Sequence, residues 1–140
     1  MRQYELLYAP FVAWIVAQGL KYIISLRKDG LQVKDLYTSG GFPSSHTATV
    51  IALAGLYGLR YGIDQPLFAC MAVLSALVMY DSVGVRRSTG EQGSALRELA
   101  SKTKVTLVNR FHSYKGHSPA EVLGGVAVGF AVAMAFYLFV

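Results

Sequence analysis

Four long apolar stretches, at residues 6–26, 44–61, 66–83 and 119–140, constrain the fold of this chain more than any other feature. Each is long enough to cross the roughly 30 Å hydrocarbon core of a bilayer as a helix. Because 54% of the 140 residues are hydrophobic and only 15% are charged, too little polar surface remains to cover four such helices in water. The sequence therefore predicts an all-α integral membrane bundle of four transmembrane helices, formed by residues 1–140 as a single domain.

The first stretch is longer than the core of a signal peptide and contains Lys21, so we expect it to be retained as a membrane helix. With four crossings, the first and third loops lie on one side of the membrane, opposite both termini and the second loop. These two loops hold most of the basic residues: Arg27, Lys28, Lys34, Arg86, Arg87, Arg97, Lys102, Lys104, Arg110 and Lys115. The positive-inside rule therefore predicts that this side faces the cytoplasm.

The net charge of +5 is carried by residues that flank hydrophobic spans rather than by a soluble surface. Anionic membrane lipids, and not nucleic acid, are therefore the expected partners. Within the third loop, apolar residues recur near helical spacing over residues 91–111, while Arg97, Lys102, Lys104 and Arg110 point elsewhere. This pattern predicts an interfacial helix in the third loop.

Polar residues that are unusual in membrane spans occur at helix ends on the basic side. The second span opens with Gly-Gly-Phe-Pro-Ser-Ser-His at 40–46, where Ser44 or Ser45 can cap the helix and His46 lies in its first turn. A helix start of this kind attracts an anion such as phosphate. The alternative is a serine-capped helix with an interfacial histidine. Ionisable groups at membrane depth are costly, so their convergence indicates a functional site.

The fourth span opens with Gly-His-Ser-Pro-Ala-Glu at 116–121, which adds a second histidine. His117 and Glu121 are four residues apart and therefore share one face of a helix. The carboxylate can hold one imidazole nitrogen and leave the other available as a nucleophile or base. The alternative is a charge pair that only stabilises the start of the helix.

These motifs resemble those of the phosphatidic-acid phosphatase type 2 superfamily, which includes vanadium-dependent haloperoxidases. The whole chain is similar to a short, divergent branch of that superfamily, which carries Gly-Gly-x-Pro-Ser-Ser-His, a Tyr/Phe-Asp-x-x-Gly-Val-Arg-Arg stretch (80–87 here) and Gly-His-x-Pro-x-Glu. The resemblance implies that His117 attacks phosphorus, Glu121 orients it, and His46 protonates the leaving alkoxide. It implies a phosphatase acting on a phospholipid or isoprenoid phosphate.

The sequence departs from the superfamily pattern at the groups that bind phosphate. Lys21, followed by Lys28-Asp29, only partly matches the first motif, and Phe111 stands where an arginine precedes the nucleophile. Arg86 and Arg87 are the substitutes that we expect to clamp phosphate with Lys21, Ser44 and Ser45, and Asp81 can orient one of them. No second carboxylate or histidine is spaced to complete a metal site, so we expect neither a metal nor another cofactor.

Two other functions and one assembly remain open from the sequence. A membrane protein that binds a lipid phosphate without turnover would keep the same pocket, and a small transporter or flippase component would also carry polar residues at membrane depth. Gly125 and Gly129 in the fourth span allow close helix approach, which predicts a homo-oligomer. The alternative is that these glycines pack against helices of the same chain.

Overall fold

The computed structural model describes residues 4–29, 41–103 and 117–140, and within these ranges all regular structure is helical. The helices are α1 (Glu5–Asp29), α2 (Ser45–Tyr61), α3 (Pro66–Val83), α4 (Val85–Thr103) and α5 (Pro119–Phe139). Helices α1, α2, α3 and α5 coincide closely with the four apolar stretches. Prolines stand at the start of α3 and α5, where a missing N–H costs no helical hydrogen bond.

Three helical stretches in the described ranges are long and apolar enough to cross a membrane: Glu5–Leu26, Pro66–Thr103 and Pro119–Phe139. Large apolar side chains cover their outer surfaces, with Leu7, Leu77 and Leu123 at least 60% exposed. Such continuous apolar surface is unfavourable in water and matches a lipid environment. Helix α2 has 17 residues, which is about 26 Å of helix. It packs against α1, α3 and α5.

Three rows of residues, spaced four apart, bring α1, α2 and α5 together. Residues four apart share one helix face. The α1 row is Glu5, Ala9, Ala13, Ala17 and Lys21; the α2 row is Ser44, Ala48, Ala52, Leu56 and Arg60; the α5 row is Glu121, Gly125, Gly129, Ala133 and Tyr137. The alanines and Leu56 in these rows are fully buried, and they form two contiguous apolar clusters. Each row thus has buried glycine or apolar residues in its middle, all of them small except Leu56, and polar residues at its ends.

The glycines of α5 allow its backbone to approach α2 closely. A Cβ atom at Gly125 would lie 2.5 Å from the Ser44 carbonyl oxygen, and one at Gly129 would lie 2.5 Å from the Ala48 carbonyl oxygen. Both glycines therefore pack within the same chain, as in the alternative weighed for this motif. The homo-oligomer stays a prediction, and it now requires a contact other than these two glycines.

The helix in the third loop begins earlier than the sequence predicts. Helix α4 starts at Val85, directly after Gly84, rather than at residue 91, and residues 104–111 of the predicted helix lie outside the described residues. The chain continues from Gly84 directly into α4, because the Ser88 N–H donates to the Gly84 carbonyl oxygen at 3.0 Å. Arg86 and Arg87 consequently lie in the first turn of α4.

Candidate active site

The His117–Glu121 pair lies at the start of α5. The His117 Nδ1 atom is 2.8 Å from Glu121 Oε2, and the histidine side chain is only 3% exposed. The same carboxylate oxygen accepts the Ser118 N–H at 3.1 Å, while Ser118 Oγ accepts the Glu121 N–H at 3.3 Å. This reciprocal capping box fixes the carboxylate at the helix start. A proton on Nδ1 directed at the carboxylate leaves the Nε2 lone pair as the reactive position of the ring.

The start of α2 is joined to this pair through the main chain. The Ser44 N–H donates to the Glu121 carbonyl oxygen at 2.9 Å. Ser44 is the N-cap of α2: its hydroxyl oxygen accepts from the Thr47 N–H at 3.4 Å and from the Thr47 hydroxyl at 3.1 Å. Both side chains are fully buried. The Pro-Ser-Ser-His segment at 43–46 and the His-Ser-Pro-Ala-Glu segment at 117–121 are therefore joined, although they are far apart in the sequence.

Lys21 approaches the same position from α1. A Cβ atom at Gly41 would lie 3.3 Å from Lys21 Cδ, so the lysine stem passes over the backbone of the glycine turn. Gly41 has a φ of 96°, a conformation that favours glycine. The half-buried ammonium group is attracted electrostatically by the Glu121 carboxylate. The structure thus brings together four predicted site residues: Lys21, Ser44, His117 and Glu121.

The remaining predicted residues on α2 and α3 border this group. Ser45 is buried in the first turn of α2, and its carbonyl oxygen accepts the Thr49 hydroxyl at 2.8 Å. His46 is exposed in the same turn and makes an interaction of its own. Asp81, which also has an interaction, lies in the last turn of α3. Its neighbour Ser82 offers the carbonyl oxygen that accepts the His117 N–H at 3.0 Å. The end of α3 is therefore attached to the start of α5.

Of the two arginines in the predicted clamp, the structure describes only the side chain of Arg87. Arg87 Nε lies 3.0 Å from Glu91 Oε1 within α4, and both side chains are more than half exposed. Such an exposed pair four residues apart contributes little free energy, so the arginine can exchange partners. The Arg86 side chain, and the whole of Arg110 and Phe111, lie outside the described residues.

Comparison with known proteins places these motifs in a family. The sequence model of the Divergent PAP2 family matches residues 2–132, a range that includes every candidate site residue. The chain belongs to the Divergent PAP2 family. This Divergent PAP2 protein is also similar to a Bacillus subtilis (strain 168) protein named "Uncharacterized membrane protein YuiD", with 30% identity covering 94% of this chain and 90% of that protein. No solved structure matches the chain. Membership confirms the resemblance inferred from the sequence motifs.

Three further residues of this Divergent PAP2 protein support the site without being predicted. Thr47 holds the Ser44 hydroxyl, Ser118 holds the Glu121 carboxylate, and the Ser82 carbonyl oxygen anchors the His117 backbone. Ser118 could have been found from the sequence, because Ser-x-x-Glu before an apolar run is typical of a capping box. A main-chain acceptor such as Ser82 leaves no sequence pattern.

Proposed function

We propose that this protein is a metal-independent phosphatase that hydrolyses a lipid phosphate monoester through a phosphohistidine intermediate. The observation that carries the proposal is the hydrogen bond of 2.8 Å between His117 Nδ1 and Glu121 Oε2, because it leaves Nε2 as the nucleophilic atom of the ring. The position of the His117–Glu121 pair at the end of apolar helices favours a substrate that is itself anchored in the membrane, either a phospholipid or an isoprenoid phosphate.

In the first proposed step, His117 Nε2 attacks phosphorus, and the bond between phosphorus and the ester oxygen breaks. His46 donates a proton to the departing alkoxide, while the Glu121 carboxylate stabilises the positive charge on the His117 ring. Water then attacks phosphorus and gives a proton to the deprotonated His46, the P–N bond breaks, and inorganic phosphate leaves. Lys21, together with the N-terminus of α2 at Ser44 and Ser45, stabilises the negative oxygens of the transferring group.

The membrane arrangement that we propose has four crossings, formed by α1, α2, α3 and α5, with α4 lying at the interface. The position of α2 among three other helices supports its role as the fourth crossing. Helix α4 carries exposed Leu96 and Leu99 alongside exposed charged groups, as a helix lying in a lipid headgroup region does. The excess of basic residues supports a cytoplasmic location for the active site and an opposite location for both termini.

A protein that binds a lipid phosphate without hydrolysing it is the second candidate. The pairing of Arg87 with Glu91 favours it, because that guanidinium is directed at a surface carboxylate rather than at the His117 region. Phosphoryl transfer requires more charge stabilisation than phosphate binding does. Hydrolysis therefore requires that Arg87 exchanges its partner or that Arg86 takes the role of the clamp.

The experiment that separates the two candidates is phosphate release by the purified protein in nanodiscs from a panel of phospholipid and isoprenoid monophosphates and pyrophosphates. Phosphatase activity is expected for the wild-type protein, and His117→Ala should abolish it without changing folding, because this side chain forms the covalent bond. His112→Ala, at the one histidine without a proposed role, is the control. Full activity of His117→Ala would refute the mechanism, and binding without turnover by the wild type would favour the second candidate.

A further inference from the structure

A second buried polar cluster lies at the opposite ends of the same helices. Arg60 Nε donates to Glu5 Oε2 at 3.2 Å, and Arg60 Nη2 donates to the Phe136 carbonyl oxygen at 3.1 Å. The guanidinium carbon also lies 5.1 Å from the centre of the Tyr137 ring. We refer to Glu5, Arg60, the Phe136 carbonyl and Tyr137 as the far cluster. Its arginine, on α2, joins α1 and α5.

The far cluster joins three helices at a cost in desolvation free energy. The Arg60 and Glu5 side chains are only 17% and 5% exposed, so both charges lose most of their hydration. The second carboxylate oxygen, Glu5 Oε1, is buried and has no hydrogen-bond partner in the described part of the chain. Replacing such a pair by apolar groups is often neutral or stabilising, whereas fixing a helix register is a well-attested use of buried polar groups.

The apolar contact between α1 and α2 does not fix that register by itself. Ala13 and Ala17 meet Ala48 and Ala52, and both pairs have a spacing of four residues. Moving α1 along its axis by four residues, about 6 Å, would again place alanine against alanine. Small side chains permit close approach, but they present a similar surface after each such step. Groups at the ends of the rows must therefore distinguish one register from the next.

We propose that the far cluster locks the register of α1 against α2 and α5 and so positions Lys21 beside Glu121. The catalytic consequence rests on the proposed function, whereas the lock itself does not. Lys21 is sixteen residues (21 − 5) from Glu5 on α1, about 24 Å along the axis. A slip of one step would move the Lys21 ammonium about 6 Å relative to Glu121 and so weaken their electrostatic attraction. Glu5 and Arg60 are thus positioning residues for the opposite end of the bundle.

A distance measurement tests the lock without requiring activity. Spin labels at Leu7→Cys on α1 and Ala120→Cys on α5, both exposed positions, form a diagonal pair across the bundle in a Cys70→Ser background. In nanodiscs, Glu5→Gln and Arg60→Gln should each add a second population of label-to-label distances, shifted by about 5–6 Å. The shift is nearly as large as the axial slip itself, because the line between the two labels runs mainly along the helix axes. Glu98→Gln removes the same charge from the exposed Glu98–Lys102 pair and should change nothing. A single unshifted distance in both far-cluster variants would overturn the lock.

The second test measures phosphatase activity. Glu5→Gln and Lys21→Met should raise KM by a similar factor, on the order of tenfold, and the double variant should raise it no further, because one change acts through the other. If the KM of the double variant rose by the product of the two single effects, Glu5 would not act through Lys21. If Glu5→Gln fails to fold, Glu5→Asp, which is shorter by one methylene, gives the same comparison. A wild-type protein without phosphatase activity would refute the proposed function, and the spin-label distances would still decide the lock.

Discussion

The far cluster and the candidate active site terminate the same rows of residues on α1, α2 and α5, yet their carboxylates have different partners. In the far cluster, Glu5 faces an arginine, which stays protonated and has no lone pair to offer. At the opposite end, Glu121 faces a histidine, whose second ring nitrogen can attack or transfer a proton. The choice of partner thus separates a carboxylate paired with arginine, which has no lone pair to offer, from a carboxylate paired with histidine, whose second nitrogen has one.

The two carboxylates also differ in where their hydrogen-bond donors lie in the chain. Glu121 Oε2 accepts two hydrogen bonds, from the His117 ring and from the Ser118 N–H, both within one helix start. Glu5 Oε2 depends on Arg60, which is 55 residues away on another helix. Local hydrogen bonds fix the geometry of a reacting group, whereas long-range bonds fix the positions of whole helices. Substitutions at both ends and in the middle of the rows can test this distinction between local and long-range hydrogen bonds.

The largest expected effect is that of Glu121→Gln. The amide cannot stabilise a positive charge on the His117 ring as a carboxylate does, so kcat should fall about a hundredfold or more. The measurement is steady-state phosphate release in nanodiscs. The matched control is Glu98→Gln, which breaks an ion pair of the same spacing on the surface of α4. Equal activity of the two variants would mean that the His117–Glu121 pair is only structural.

Arginine substitutions on α4 should have the next largest effect. Arg86→Lys and Arg87→Lys keep the positive charge but remove the planar guanidinium group. The substitution at the arginine that binds phosphate should lower kcat/KM about tenfold, and the other substitution should leave kcat/KM unchanged. Arg110→Ala should be milder than the clamp variant. If Arg110→Ala alone destroyed activity while both lysine variants were silent, the assignment of the clamp to α4 would be wrong.

In the middle of the rows, the expected effect is on stability. Gly129→Ala places a methyl group against the Ala48 carbonyl oxygen, so α5 must move away from α2 at a cost of about 1–3 kcal/mol. Gly19→Ala on α1 is the matched control, because no atom beyond the neighbouring backbone of α1 lies within 4 Å of the added carbon. Thermal unfolding in detergent compares them. Equal midpoints would contradict the close α2–α5 contact.

The smallest effect is expected for Thr47→Val. It removes the hydroxyl that donates to Ser44 Oγ at 3.1 Å, and the loss of one buried hydrogen bond costs about 1 kcal/mol. Thr89→Val removes a comparable hydroxyl bond, to the Val85 carbonyl, on the exposed surface of α4 and should be nearly neutral. Unfolding midpoints provide the comparison, and identical values would indicate that Thr47 does not support the α2 cap.

The local features of this fold could be predicted from the sequence, because they depend on neighbouring residues. The third apolar stretch has the same limits as α3, and the second differs from α2 only by its N-cap Ser44. His117 and Glu121 are in contact as predicted, but His117 precedes the N-cap Ser118, so the capping box and not a shared helix face brings them together. These features depend on hydropathy, capping and helix geometry, which act over a few residues.

Features that depend on tertiary register could not be predicted. The pairing of Glu5 with Arg60 requires knowledge of which faces of α1 and α2 meet, and at what level. The same limit applies to Gly129, because the sequence does not say whether its partner helix belongs to the same chain. The early start of α4 was missed because the prediction was based on apolar spacing, which does not mark the first residue of a helix that directly follows another.

The hydrogen bond from the Ser44 N–H to the Glu121 carbonyl oxygen also has a consequence for biosynthesis. Its donor precedes α2, whereas its acceptor lies at the start of α5, so α2, α3 and α4 are synthesised between them. Until α5 has entered the bilayer, the start of α2 lacks this acceptor and the close glycine surface that covers its alanines. The nascent chain therefore carries an incomplete candidate site until α5 is made, and the His117–Glu121 pair can meet the start of α2 only after that helix has been inserted.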